Sequence, residues 1–117
     1  MIVYGIKNCN TVKKSIDWLT NNNIEFEFHD YKSKGIATEK LEAWSKQVGW
    51  ESLVNKRGTT WRQLNVDVQA KITNEKAAIA LMIEKTSVIK RPLLEEKGKV
   101  MVLGFDDTEY IRVFRAC

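Results

Sequence analysis

Cys9 is the residue in this chain that is best placed to do chemistry. The chain begins MIVYGIKNCNTVKK, with strand-forming residues from Ile2 to Tyr4 and then Gly5, which frees the backbone to turn. From Asn10 onward, apolar residues recur at helical spacing. Cys9 therefore lies at a helix start, where unpaired N–H groups and the helix dipole favour the reactive thiolate. The alternative is an inert cysteine that packs under a sheet.

Three further residues could assist a thiolate. Thr11 could donate its hydroxyl or its N–H group to Cys9 or to a bound oxyanion, and its alternative role is a plain helix-start residue. Arg91 could lower the thiol pKa and hold a carboxylate or oxyanion through two hydrogen bonds. Arg57 lies in a Gly-Thr-Thr loop that could close over the site. For both arginines the alternative is a solvated surface charge.

Composition restricts the possible partners. The chain has 117 residues, a net charge of +4 and two distant cysteines, Cys9 and Cys117. Spread-out lysines predict no nucleic-acid partner, and the absence of a membrane-length apolar stretch predicts no membrane partner. The cysteine count and the lack of a signal-peptide pattern predict a cytoplasmic protein. With His29 as the only histidine, we expect no metal and no bound cofactor.

The elements that must position these residues follow in a simple order. After the first helix, Ile24, Phe26 and Phe28 alternate with polar residues and predict a second strand, parallel to the first. A helical middle segment follows, with Thr38 and Thr73 as expected N-caps.

The last third of the chain is predicted to return to strands. Residues 87–89 are expected to form a short strand, and Gly98 marks the turn of a hairpin. Asp106 is the expected N-cap of a closing helix, which Ile111 and Phe114 mark.

The order βαβ, helices and ββα predicts an α/β protein with a thioredoxin-like fold. It comprises one domain over residues 1–117, with an all-helical insertion at about residues 38–86. In such a fold Pro92, the only proline, is expected to be a cis-proline beside Cys9, with Arg91 near the thiol. The alternative for Pro92 is a plain strand-start proline.

Three motifs resemble the arsenate-reductase-like (ArsC/Spx) family, and most closely its YffB subgroup. They are YGIKNCNT at residues 4–11, NKRGTTWR at residues 55–62 and IKRPLL at residues 89–94. The likeness extends in order over essentially the whole chain. The family has a thioredoxin-like fold with a helical insertion.

The resemblance implies a redox role for Cys9 and a substrate site. The expected substrate-binding residues are Asn8, Asn10, Thr11, Arg57, Arg91 and Pro92. Arg57 and Arg91 match two arginines that arsenate reductases place around the oxyanion. Their third arginine is absent from residues 102–105, and their histidine is replaced by Gly5, which argues against arsenate as the substrate. Val12 occupies the second cysteine position of a C-x-x-C switch.

The predicted function is that of a glutathione-dependent thiol reductase. Cys9 would form a mixed disulfide with glutathione, which serves as co-substrate, and the partner would be glutathione or another small thiol or disulfide. We expect a monomer in which Cys117 is a free terminal thiol. The alternatives are an Spx-like, non-enzymatic regulator that binds RNA polymerase and a degenerate arsenate reductase.

Overall fold

The computed structural model describes residues 1–115, so the expectation for Cys117 lies outside the described residues. The chain divides into two compact units. The first comprises Met1–Lys34 together with the chain from Arg91 onward, and the second is Gly35–Lys90. The single domain over residues 1–117 stays a prediction.

Four strands and eight α-helices occur in the described chain. In order they are β1 Ile2–Gly5, α1 Asn10–Asn21, β2 Glu27–Asp30, α2 Tyr31–Lys34, α3 Thr38–Val48, α4 Trp50–Leu53, α5 Thr59–Arg62, α6 Val66–Lys71, α7 Glu75–Glu84, β3 Leu93–Glu96, β4 Lys99–Leu103 and α8 Asp107–Phe114. A 3-10 turn at Thr86–Val88 follows α7. Within residues 1–115, no helix is long and apolar enough to cross a membrane.

The first unit is built on a four-stranded sheet in the order β2-β1-β3-β4. Strands β1 and β2 are parallel and are connected through α1, whereas β3 is antiparallel to β1 and to β4. Adding α8 gives the predicted βαβ and ββα halves, which confirms the α/β fold class. Strand β2 contains Phe28 but begins only at Glu27, so Ile24 and Phe26, where the predicted alternation starts, lie before the strand.

One face of this sheet packs into an apolar core. Val3 and Leu94 are paired across β1 and β3, and both are fully buried. They pack with Leu19 of α1, Val102 of β4 and Tyr110 of α8. The closing helix predicted from Ile111 and Phe114 is confirmed as α8, in which Tyr110 is buried and Ile111 is exposed.

Tyr110 is held in the core by hydrogen bonds at both sides of its hydroxyl. The hydroxyl donates to the carbonyl of Gly104 at 2.8 Å and lies 2.7 Å from the Ser15 Oγ. The predicted cap of α8 is confirmed, since the Asp106 side chain accepts a hydrogen bond from the Glu109 N–H at 3.1 Å. These contacts fix the two helices, α1 and α8, that cover this face of the sheet.

The second unit contains the helices α3 to α7. Its buried side chains include Leu41, Trp44, Leu53 and Met82. Two capping predictions are wrong here. Helix α3 has Ala37 at its N-cap and Thr38 as its first residue, and α7 is capped by Asn74, whose side chain accepts from the Ala77 N–H at 2.9 Å.

The strand predicted at residues 87–89 is also wrong. Residues Thr86–Val88 form the 3-10 turn, and Ile89 makes only an isolated antiparallel bridge with Val54. The β-branched residues that predicted the strand, Val88 and Ile89, are nevertheless both buried. Burial and not strand pairing therefore accounts for this apolar segment.

Candidate active site

Cys9 is the N-cap residue of α1, as the sequence predicts. Its backbone is extended, with φ −141° and ψ 120°, and its carbonyl accepts the first helical hydrogen bond from the Lys13 N–H at 3.0 Å. The thiol is half-buried. Residues in the first turn of a helix have N–H groups without helical partners, so the sulfur of Cys9 lies where an anion is favoured.

Ionisation makes the Cys9 sulfur a stronger hydrogen-bond acceptor. A neutral thiol is a weak acceptor, and it makes no capping hydrogen bond to the helix. The thiolate is stabilised by the backbone N–H group of Val12, by the guanidinium of Arg91 and by the backbone N–H group of Thr11. Burial raises the pKa of the Cys9 thiol, but these contacts outweigh burial, so the pKa lies below its ordinary value.

Arg91 reaches Cys9 from the start of β3. The peptide bond between Arg91 and Pro92 is cis, which confirms the expected cis-proline. Pro92 is buried, and its carbonyl accepts from the Gly104 N–H at 2.7 Å, which ties the strand start to the end of β4. The Arg91 Nε is buried, while its charge and a side-chain hydrogen bond act on the Cys9 thiol. The structure therefore brings Cys9 and Arg91 together.

The polar residues beside Cys9 in the sequence are open to solvent. Asn8, Asn10 and Thr11 are all exposed, and Asn10 begins α1. Of these three, Thr11 contributes to the thiolate through its N–H group. A substrate that approaches Cys9 would meet their side chains, and their role in binding stays a prediction.

Arg57 belongs to the second unit. It lies in the exposed turn before α5, where its N–H donates to the Asn55 Oδ1 at 3.1 Å. Gly58 allows this turn, because a Cβ atom there would lie 2.8 Å from the Asn55 Nδ2. The role of Arg57 as a substrate-binding residue stays a prediction.

Position 12 explains why Cys9 would act alone. Val12 stands where a C-x-x-C pair has its second cysteine, and it is buried against Gly5 and Phe28. A Cβ atom at Gly5 would lie 2.8 Å from a Val12 methyl group, so this close approach requires glycine. Cys9 is the one cysteine in residues 1–115 and is not in a disulfide. A second thiol must therefore come from elsewhere.

The other face of the sheet carries a largely buried polar cluster that the sequence analysis did not predict. Its members are Tyr4, His29, Tyr31 and Glu95. The Tyr4 hydroxyl donates to the Glu95 Oε1 at 3.1 Å, and Glu95 is only 3% exposed. The Tyr4 ring centroid lies 4.8 Å from that of His29 and 6.1 Å from that of Tyr31.

Strand alternation contained a signal for this cluster. Glu95 is two residues after the buried Leu93 and therefore lies on the same face of β3. Burial, with the neighbouring Glu95, raises the pKa of Tyr4 well above its usual range. The Tyr31 hydroxyl is buried and makes no hydrogen bond within residues 1–115.

Comparison with known proteins identifies relatives of this chain. The model of the ArsC family matches residues 4–113. An uncharacterized protein of Haemophilus influenzae is 45% identical over 113 residues, which are 96% of this chain and 96% of that protein. The solved structure of a YffB protein is similar with a TM-score of 0.88 and 40% identity, covering 96% of each chain.

A regulatory protein is a more distant relative. The global transcriptional regulator Spx of Lactiplantibacillus plantarum is 25% identical over 114 residues, covering 96% of this chain and 84% of Spx. The family match extends over almost the whole described chain, from β1 to α8. The chain therefore belongs to the ArsC family and has its thioredoxin-like, arsenate-reductase-like fold.

Proposed function

We propose that this protein is a glutathione-dependent thiol reductase in which Cys9 is the nucleophile. The observation that carries the proposal is the lowered pKa of the half-buried Cys9 thiol, caused by the helix start and by Arg91. A lowered pKa increases the fraction of thiolate, which is the form that attacks disulfides, and the positive groups around it favour anionic substrates. Glutathione, with two carboxylates and one thiol, has the chemistry that such a site recognises.

The first step is an exchange of one disulfide for another. The Cys9 thiolate attacks the glutathione sulfur of a mixed disulfide between a substrate thiol and glutathione. A new bond forms between Cys9 and glutathione, the substrate disulfide breaks, and the substrate leaves as a thiolate that takes up a proton from water. The substrate sulfur is reduced, and Cys9 is oxidised.

The second step restores Cys9. A second glutathione, as its thiolate, attacks the glutathione sulfur of the adduct, and Cys9 leaves as a thiolate. Oxidised glutathione is the product, so the net reaction converts the mixed disulfide and one free glutathione into the substrate thiol and oxidised glutathione. The low pKa of Cys9 makes it a good leaving group in this step. Because Val12 fills the C-x-x-C position, no cysteine in the first turn of α1 competes with an outside thiol.

The residues around Cys9 have corresponding roles in binding. Arg91 and the start of α1 would hold a glutathione carboxylate, while the exposed Asn8, Asn10 and Thr11 would donate to its peptide groups. We propose a small thiol or disulfide and not arsenate as the substrate, because residues 102–105 contain no arginine. A reducing cytoplasm, rich in glutathione, is the matching compartment.

The second candidate function is regulatory. It is favoured by the 25% identity with Spx, which extends over 96% of this chain. In this alternative the chain would bind a protein such as RNA polymerase without catalysis. Substitution of Cys9 by serine distinguishes the two, because it would abolish thiol reduction but leave a binding surface intact.

The decisive experiment is mass spectrometry after treatment with oxidised glutathione, followed by peptide mapping. We expect one glutathione adduct on Cys9 that reduced glutathione removes. The Cys117→Ser variant should give the same adduct, and the Cys9→Ser variant should give none on the N-terminal peptide. A disulfide between Cys9 and Cys117, or an adduct on Cys117 alone, would contradict the proposed mechanism.

A further inference from the structure

Glu95 is a carboxylate in the interior of the first unit. It is 3% exposed, and the Tyr4 hydroxyl donates to it at 3.1 Å. An ionised carboxylate in such a place is costly unless it is both hydrogen-bonded and near a positive charge. The neutral hydroxyl of Tyr4 does not supply that charge, so an ionised Glu95 requires a nearby cation.

The ionisable groups nearest the Met1 end of the sheet are mostly acidic. A cleft of about 450 Å³ there is lined by Glu25, Glu27, Glu95, Glu96 and Lys97. The Met1 ammonium contacts Glu96 at 2.9 Å. Several carboxylates together disfavour the ionised form of each. The cations at this cleft are the Met1 ammonium, which is paired with Glu96, and the exposed side chain of Lys97.

Arg91 is a cation of the same unit whose side-chain Nε is buried. Burial raises the pKa of the Tyr31 hydroxyl, and the nearby Tyr4 adds to that rise. The Arg91 charge opposes the rise, whereas Glu95 adds to it, so both charges act on the same buried hydroxyl. Arg91 precedes β3 by two residues, its Nε is buried, and Glu95 is the third residue of that strand.

We propose that Glu95 is a positioning residue: its buried carboxylate, held by Tyr4, is the counter-charge that keeps the Arg91 guanidinium against Cys9. The buried cluster of Tyr4, His29, Tyr31 and Glu95 thereby connects the interior of the sheet to a thiol at the surface. Glu95 does not act on Cys9 directly, since Arg91 is the charged side chain that acts on this thiol. This inference rests on the proposed function only in taking Cys9 as the nucleophile.

The test compares the reaction of Cys9 with a neutral disulfide, 4,4′-dithiodipyridine, in native and Glu95→Gln chains that carry Cys117→Ser. Glutamine keeps the shape of the side chain and an acceptor for Tyr4 but removes the charge. Glu96→Gln is the matched control, because Glu96 is the next residue and is partly exposed. The same substitution at Glu95 is then repeated in an Arg91→Ala background, which forms a double-mutant cycle.

At about pH 6, we expect Glu95→Gln to slow the reaction about twofold or more, since part of the Arg91 effect on the thiolate is lost. The Glu96→Gln chain should react at the native rate, and Glu95→Gln should have no further effect when Arg91 is already alanine. An unchanged or faster rate in Glu95→Gln would overturn the inference. Equal slowing with and without Arg91 would overturn it too, because a purely structural role predicts that result.

A second variant covers the case in which Glu95→Gln does not fold. Tyr4→Phe keeps the aromatic ring and the Glu95 charge but removes the donor at 3.1 Å. Tyr4→Phe should slow the reaction of Cys9, as Glu95→Gln does, and a native rate in Tyr4→Phe would contradict the inference. Because no glutathione is used, a protein that failed to form the glutathione adduct would still give a clear answer here.

Discussion

Replacement of Arg91 by alanine is the sharpest test of the site, because it should change the reactivity of Cys9 in opposite directions at low and at high pH. Arg91 stabilises the thiolate through a hydrogen bond and through its charge. A charge-assisted hydrogen bond contributes about 1.5–3 kcal/mol, and solvent at the half-buried thiol favours the lower limit. That energy corresponds to about a tenfold loss of thiolate wherever the thiol is mostly protonated.

The intrinsic nucleophilicity of the thiolate partly compensates for this loss. The rate of thiol–disulfide exchange rises with thiolate basicity with a coefficient of about 0.4–0.5, so a tenfold more basic thiolate reacts about threefold faster. At about pH 6, Arg91→Ala should therefore react about three- to fourfold more slowly than the native chain. At about pH 10, where both thiols are ionised, it should react about threefold faster.

The assay is the release of thiopyridone from 4,4′-dithiodipyridine, followed across this pH range in chains that carry Cys117→Ser. The neutral reagent removes any direct attraction to Arg91. Arg112→Ala is the matched control, because Arg112 is an exposed arginine of α8 that pairs with Glu109. Rate profiles that stay parallel, or Arg91→Ala slower at every pH, would refute the role of Arg91 in thiolate stabilisation.

Two further substitutions test the position of Cys9 at the helix start. Gly5→Ala should lower the free energy of unfolding, measured in urea, by about 1–3 kcal/mol, because the new methyl group would clash with buried Val12. Val12→Ala should relieve part of this loss in the double variant. Strictly additive effects of the two substitutions would contradict the clash. Cys9→Ser tests the thiolate itself. Because the pKa of Cys9 is lower in the folded chain than its ordinary value of 9.0, the thiolate stabilises the folded chain fully above pH 9.0. This stabilisation is lost as the pH falls through the folded-state pKa. The native chain should therefore gain stability over Cys9→Ser as pH rises toward that value, and a pH-independent difference would be inconsistent with a lowered pKa.

Local sequence patterns predict the parts of the fold that depend on neighbouring residues. The change from strand to helix around Cys9 is confirmed, because glycine and helical spacing act within one short segment. The hairpin is confirmed for the same reason, with Gly98 in its turn at φ +83°. Asp106 caps α8 as expected, since capping geometry involves only the next three residues.

The errors occur where several neighbouring residues satisfy the same pattern. Thr73 and Asn74 are both good N-cap residues, and Asn74 makes the hydrogen bond to α7. At the closing helix, Ile111 is exposed, whereas Tyr110 is buried and its hydroxyl has hydrogen-bond partners in Ser15 and Gly104. Such choices depend on tertiary contacts that a single sequence does not contain.

The residues in and around the candidate site differ in how readily the sequence reveals them. Cys9 and Arg91 carry chemistry by their residue types, and the short motif around each one marks it. Glu95 stands next to Glu96, Lys97 and a turn, so its polarity is typical of an exposed hairpin end. Strand alternation nevertheless places it on the buried face with Leu93, and a carboxylate at a buried strand position requires a counter-charge. A charged residue at a strand position that alternation predicts to be buried is therefore the signal by which residues that support an active site can be found in related sequences.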